Sequence, residues 1–575
     1  MRTVIASGAA LLLGLGIAAG SMAAQTKPAP GRRPAVGRTA FGELAPPRKP
    51  RLVVLIAIDQ FRADLVTRFE DLYLPPRSGG SSGDVGGFRY LQALGAWFPD
   101  CRYQHHRTVT AAGHAILGTG AQPYLSGMVG NSWWDRASGR SIYCCDDPKA
   151  RVVGAAAGSI EKPMSPANLL VTTFADELEL ATGGRAKTVG VAMKDRAAIL
   201  MIGHRADTCI WFDEVTGGWV SSSFYCPNEE LPAWVQQFNR RRLAEQLRKK
   251  PWTPLIDSAA LERVWRPKAG SFPFSYSLEG RDFNNFINSP AGNEFTIETA
   301  RQAVVSEGLG QDDIPDVLAI NLTSNDTVGH RFGPDSAEVE DISVQTDRQL
   351  SKFFNFLAKS VPGGLGSVTI ALSSDHGVVT VPEVNTASGV SALRSAPSAV
   401  AAAADRALDA AVGTADWIAS SENGELYFST AALARYPAEP RSRLENVAIE
   451  AIRAVPGVYS GYGKSAILAG SVPRTALGAR LANGVHPNRS GDVVVILDPH
   501  WLPGANPVGT GTSHGSPFPY DTNVALLVAG AGIRPGTYRT HVTPAQVAPT
   551  MSFLLRVNRP SGADEPLLPG LIGTE

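Results

Sequence analysis

Several short stretches of this chain set side chains where they could do chemistry together. "RTVTAAGHAILGTG", Arg107–Gly120, places Thr110 before Ala-Ala-Gly and an apolar run that reads as the start of a helix. A threonine there has two uses. Its hydroxyl can cap the helix by accepting a backbone N–H, or it can act as a nucleophile where helix N–H groups favour an anion. "SNDTVGHRFGP" spaces Asp326 and His330 four apart. One helical turn then brings a carboxylate and an imidazole onto one face. Both are good zinc ligands, although a solvated loop pair has the same letters. "SSDHG" sets Asp375 beside His376. At a strand end the two diverge and can reach different parts of a metal site; an Asx-turn with a surface histidine is the bland alternative. "AMKDR" puts Lys194 and Arg196 two apart, which on an extended chain is one face and which also describes a solvated basic face. "IAID" ends on Asp59. "GTSHGS", holding His514, reads by itself as a turn before a strand.

The elements that must carry these residues are visible as apolar runs. "RLVVLIAID", "KTVGVAMKD", "DVLAINLTSND", "SVTIALSSDHG" and "NVALLVAGAG" have the continuous apolar character of buried strands. Helical patterns lie between them. One is opened by Ser165-Pro166 and closed by Gly183, and another covers Asp335–Ser360. The alternation predicts an α/β fold with a mostly parallel central sheet flanked by helices. Ligands bind outside the carboxyl ends of such strands, where Asp59, Lys194, Arg196, Asp326, Asp375 and His376 fall. Two regions interrupt the rhythm and are expected as insertions: about 212–286, rich in Trp, Pro and Arg, and 401–507, with an Ala-rich stretch and short strands. The α/β domain is then expected over 51–400 and 508–575. No internal repeat is present.

The chain has 575 residues, too many for one ordinary core. Lys+Arg and Asp+Glu balance at 53 each, so no overall field favours nucleic acid as the main partner. The first residues, "MRTVIASGAALLLGLGIAAGSMAAQT", combine Arg2, a short apolar run and a small-residue cleavage site. Residues 1–24 are expected to be a secretory signal peptide and 25–50 a Pro/Arg-rich tether. No later stretch has the apolar length of a spanning helix. The expected location is the periplasm or medium, with no stable membrane anchor after signal cleavage. Export permits disulfides among Cys101, Cys144, Cys145, Cys209 and Cys226. Cys209 and Cys226 flank an apparent hairpin and are expected to pair; Cys101 is expected to pair with Cys144 or Cys145.

Taken in order, "IAIDQFRADLV", "TVTAAGHAILGTG", "GMVGNSWWDR", "SPAGNEFTIETARQAV", "NDTVGHRFGP", "SSDHGV" and "TSHGSPFPYDTNVALLVAGAGI" resemble the motifs of the alkaline phosphatase superfamily. The chain is most similar to its periplasmic single-Thr members, which are related to nucleotide pyrophosphatase/phosphodiesterases. The resemblance runs from about Arg51 to Leu555 and is weakest over 401–507. It implies two Zn2+ ions, one held by Asp326, His330 and His514, the other by Asp59, Asp375, His376 and the Thr110 hydroxyl. It implies Thr110 as nucleophile through a phosphothreonine intermediate. Asn131, Lys194 and Arg196 would bind phosphoryl oxygens of a small phosphorylated substrate. Two departures, Ser126 where relatives often have His and Asn523 where His often follows "DT", remove no assigned ligand. Two cations favour a monoester dianion over a diester, so the implied activity is monoester hydrolysis, with pyrophosphatase/phosphodiesterase action as the alternative. A sulfatase would need a Cys or Ser followed by a Pro and Arg signature, which Thr110-Ala-Ala-Gly-His lacks. A catalytically silent phosphate-binding protein would be expected to have lost a ligand or the nucleophile, and none is lost.

Overall fold

The longest apolar runs become the centre of one ten-stranded sheet. The structure, a computed structural model, describes residues 48–76, 85–256, 274–504 and 511–570. The expected signal peptide, nearly all of the tether and part of the 212–286 region lie outside them. The sheet strands are β1 (Leu52–Ile58), β2 (Gly95–Trp97), β3 (Val152–Val153), β4 (Thr188–Ala192), β5 (Thr208–Phe212), β6 (Trp219–Ser222), β7 (Asp316–Leu322), β8 (Val368–Ser373), β9 (Leu526–Gly530) and β10 (Gly536–Thr537). Their spatial order is β10-β2-β9-β8-β1-β7-β4-β5-β6-β3. The five strands from β8 to β5 run parallel to one another. β1, β7 and β8 have no exposed residue, as expected of strands covered by helices on both faces. Two large apolar clusters, one on each face, hold the sheet between helical layers.

The register sets the functional edge. Ile58 pairs with Leu322 and Ala57 with Ser373, while Ala192 pairs with Asn321. The chain therefore leaves β1, β4, β7 and β8 at one level of the sheet, just before Asp59, Lys194, Asp326 and Asp375. The run at Asn523 departs from the parallel pattern: β9 lies antiparallel to β8. Its amino end, not its carboxyl end, therefore meets that edge. Asp326 is likewise not on a strand. β7 stops at Leu322, and the helix Ser324–Phe332 carries Asp326 in its first turn and His330 in its last.

Other expectations shift for local reasons. The helix expected from Ser165 begins at Phe174, because Thr173 and Asp176 form a reciprocal capping box there; Gly183 closes it in the left-handed conformation. The long helix is Ala337–Ser360, capped by the Ser336 hydroxyl. Residues from the 212–286 region, among them Trp219, Trp234, Phe238 and Phe283, enter the main core, and β6 joins the central sheet. Within 401–507, Ile418–Glu422, Glu425–Phe428, Val493–Leu497 and Val458–Gly463 form a separate antiparallel sheet in that order, with its own apolar cluster.

All five cysteines are unpaired and buried, so neither expected disulfide is present. Cys209 packs in the apolar cluster on one face of the sheet, and Cys226 in the cluster on the other. The strand alternation that places Cys209 puts its side chain in a different cluster from that of Cys226.

Candidate active site

Helix α1 (Thr110–Thr119) begins with Thr110 as its first residue, and Val109 stands at the cap position without a side-chain hydrogen bond. The capping role therefore does not fall to Thr110. Its hydroxyl is left for other work at a helix N-terminus, where partial positive charge favours an anion. Asn131 Oδ1 accepts the Ala111 N–H at 2.9 Å, which orients the amide and leaves its N–H donors to offer a ligand. Gly113 lets this helix approach β8's end: a Cβ there would land on the Asp375 carbonyl oxygen. The small residue serves helix–strand packing, a different use from the phosphate approach that its position after Thr110 suggests.

Around this helix start the edge gathers three buried carboxylates, Asp59, Asp326 and Asp375, with three imidazoles. His330 Nε2 lies 3.2 Å from Asp326 Oδ1 and His514 Nε2 lies 4.0 Å from the same atom. His376 Nε2 lies 3.2 Å from Asp375 Oδ2 and 3.7 Å from Asp59 Oδ1. The His376 and His514 rings stack with centroids 3.4 Å apart, so the two groups share a border. Each imidazole is oriented from behind. Nδ1 of His330, His376 and His514 lies 2.8, 3.0 and 2.9 Å from the carbonyl oxygens of Thr512, Gly377 and Thr108. A carbonyl only accepts, so Nδ1 carries the proton and Nε2 faces the carboxylates, the usual arrangement of metal-binding histidines.

His114 was not singled out by the sequence, yet it lies among Asp59 and Asp375. Its role differs from that of the other three. Nδ1 donates to the Thr110 carbonyl at 2.8 Å, and Nε2 accepts from the Asn321 amide at 2.8 Å. Both nitrogens are occupied within the protein. Gln60 is a second unpredicted member. Its Nε2 donates to Asp326 Oδ1 at 2.7 Å and its backbone N–H to Asp375 Oδ1 at 3.1 Å, tying the two groups together. It holds a left-handed φ of 63° to do so, which costs a non-glycine residue free energy.

Lys194 and Arg196 do not share an extended stretch. Lys194 precedes helix α2 (Asp195–Ile202) and Arg196 sits in its first turn. The Lys194 ammonium reaches Asp59 Oδ2 at 2.9 Å and Asp326 Oδ2 at 2.5 Å. Arg196 donates to the Tyr143 hydroxyl at 3.1 Å. Burial works against charged Lys194, but Asp326 and Asp59 outweigh it and raise its pKa.

The electrostatics leave this cluster short of positive charge. Burial first, and then Asp375, push Asp59 up to about 6; burial likewise takes Asp375 to about 6. Burial drives His376 down to about 4 and His514 well below the usual imidazole range. For His330 the same burial is outweighed by Asp326, which raises it to about 9. Asp59 Oδ1, Asp375 Oδ2 and His376 Nε2 are buried without any hydrogen-bond partner. Buried polar atoms are rarely left so. Orphaned oxygen and imidazole donors converging in one place fit divalent cations of the zinc type.

A family model described as type I phosphodiesterase/nucleotide pyrophosphatase matches residues 53–517. Over 530 residues the chain is 34% identical to alkaline phosphatase PhoV of Synechococcus elongatus, covering 90% of this chain and 92% of that protein. It is 33% identical over 534 residues to alkaline phosphatase PafA of Elizabethkingia meningoseptica, covering 90% and 93%. The crystal structure of wild-type PafA superposes with a TM-score of 0.83 at 32% identity, over 91% of this chain and 99% of that one. With its mostly parallel sheet and the matched span embracing the whole edge cluster, the chain belongs to the type I phosphodiesterase/nucleotide pyrophosphatase family of the alkaline phosphatase superfamily.

Proposed function

We propose that the protein is an exported alkaline phosphatase that hydrolyses phosphate monoesters with two zinc ions and a Thr110 nucleophile. The observation that carries this is the convergence of Asp59, Asp326, Asp375, His330, His376 and His514 beside the start of the Thr110 helix. The relatives named alkaline phosphatases support the reaction class. Asp326, His330 and His514 would hold one ion, and Asp59, Asp375, His376 and the Thr110 hydroxyl the other. Two such ions, when bound, stabilise the attacking and leaving oxygens of an in-line displacement.

The protein's own groups do the rest. The Thr110 oxygen forms a bond to phosphorus as the ester P–O bond breaks; the hydroxyl proton is lost and the leaving alcohol takes one up. Water then cleaves the phosphothreonine and releases phosphate. The Asn131 N–H donors and the helix start hold phosphoryl oxygens in place. Lys194 and Arg196 favour the dianion of a monoester, whose extra charged oxygen a diester lacks. The family model's description keeps a diesterase reading in view. Hydrolysis of an aryl phosphate monoester, compared with its methyl diester, separates the two. A chelator should abolish the activity and zinc should restore it. A preference for the diester, or full activity in metal-free protein, would overturn the reading. Export rests on the N-terminal residues and is checked by fractionation of cells producing the full chain. No helix among the described residues is long and apolar enough to cross a membrane.

A further inference from the structure

Beside the edge cluster lies a cavity of about 200 Å³, walled by the main fold on one side and by residues of the 401–507 region on the other. His514 belongs to its wall as well as to the cluster. One side is apolar, with Val495, Leu497 and Trp501. The other carries polar atoms that are buried without a partner: Arg107 Nε, both ring nitrogens of His106, Ser395 Oγ and Asp521 Oδ1. Arg107 is the central one. A guanidinium has five N–H donors, yet among the described residues it takes part in no ion pair. Backbone close to Gly424 and Gly515 flanks it, and a side chain at either glycine would press on the guanidinium. Burial lowers its pKa, while Glu425 and Asp521 oppose that effect. Those carboxylates are engaged elsewhere: Glu425 Oε2 accepts from Gly491 N–H and the Tyr427 hydroxyl, and Asp521 Oδ2 accepts from Ser516 N–H. Burial also pushes Asp521 up to about 7 and, with Arg107, takes His106 down to about 3. Among the described residues of the cavity lining, Arg107 is the one arginine or lysine.

Unsatisfied donors facing an apolar wall describe a site for an organic anion. An apolar cavity of ~150 Å³ accepts benzene, so this one has room for a small ring or chain ending in a charged group. Arg107 lies three residues before Thr110, and the Thr108 carbonyl between them orients His514. The cavity is therefore tied to the reaction centre through the backbone and through a shared histidine.

We propose that this cavity receives the non-reacting end of the substrate, an anionic group on an apolar body, with Arg107 as the partner of the anion. The proposal rests on the phosphatase reading above. Its test uses the zinc-loaded full chain and compares kcat/KM for phenyl phosphate with that for phenyl phosphates bearing a para-carboxylate on zero, one or two methylenes. At least one carboxylate-bearing ester should be preferred, through a lower KM. Arg107→Gln should reduce the ratio of carboxylate-bearing to neutral ester by about tenfold or more. A ratio that does not change in that variant overturns the proposal, while failure of the wild type to hydrolyse phenyl phosphate overturns the phosphatase reading instead. A second measurement does not depend on turnover. 4-Phenylbutyrate should bind the wild-type chain by calorimetry, compete with phenyl phosphate, and bind severalfold more weakly to Trp501→Ala, which leaves the guanidinium in place. Absence of binding, or binding that does not compete with phenyl phosphate, means that the cavity does not hold the substrate's far end.

Discussion

Two groups of buried acids in this molecule are treated in opposite ways. In the 401–507 region they are enclosed. Asp492 accepts from Phe428 N–H and Arg136. Glu445 accepts from the backbone and hydroxyl of Ser465. Glu425 is held by Gly491 and Tyr427. At the edge of the main sheet, Asp59 Oδ1 and Asp375 Oδ2 have no hydrogen-bond partner, and among the described residues Lys194 is the only ammonium that reaches the group. Satisfied acids brace a fold. Unsatisfied acids under burial are unstable unless a ligand completes them. The contrast sets the braced acids of 401–507 apart from the acids of the edge cluster without reference to any relative.

The strongest way to break that contrast is at Thr110. Thr110→Ala should lower monoester kcat/KM by at least ~10³-fold and leave the metals in place. Acid-quenched wild type should carry label from a labelled ester at Thr110, and the variant should carry none; label at another residue contradicts the assignment. The imidazoles sharpen the picture next. His376→Gln should cost metal affinity by ~10²-fold or more. His114→Gln, at a ring whose nitrogens are both used inside the protein, should cost far less. Metal content after dialysis reads both, and equal losses would make His114 a ligand.

Removing both cations comes third. Lys194→Ala with Arg196→Ala should lower monoester kcat/KM by well over ~10-fold, since each charge-assisted contact contributes ~1.5–3 kcal/mol. Diester hydrolysis should fall less. Equal losses on the two esters would mean that these residues support the site without selecting charge.

Proton competition gives a graded effect. Asp59 and Asp375 stand near 6, above the ordinary carboxylate range, so below that pH they bind protons that a metal must displace. Metal affinity should therefore fall as pH drops through about 6, by up to ~10-fold per displaced proton per pH unit. Titration with zinc at pH 7 and pH 5 checks this, and a flat profile refutes it. The smallest effect belongs to the enclosed acids. Asp492→Asn should destabilise the fold by ~1–3 kcal/mol, read by denaturant unfolding, with no change in metal content. Metal loss in that variant would erase the contrast.

Much of this was legible in advance because it depends on neighbours in the chain. The apolar runs foretold the parallel strands, since burial on both faces demands continuous apolar sequence. The Asp326–His330 spacing foretold a shared face, since residues four apart on a helix lie over one another. The pairing of Cys209 with Cys226 misled, because hairpin spacing says nothing about which face of a large sheet each thiol meets. His514 stood in an uninformative Gly/Ser loop.

Sequence alone therefore determined the central strands and placed Asp59, Lys194 and Asp375 just past their ends, because periodicity and strand-end position are local properties. Tertiary structure decided the rest. The antiparallel β9 carries its preceding loop, and with it His514, to the edge where β1, β7 and β8 end. Asn321, 207 positions from His114, fills that ring's second nitrogen and keeps it within the protein's own hydrogen bonds. Lys194 spans carboxylates 135 and 132 positions away. Contacts over such separations follow from strand order and register, and no spacing within a short stretch encodes them.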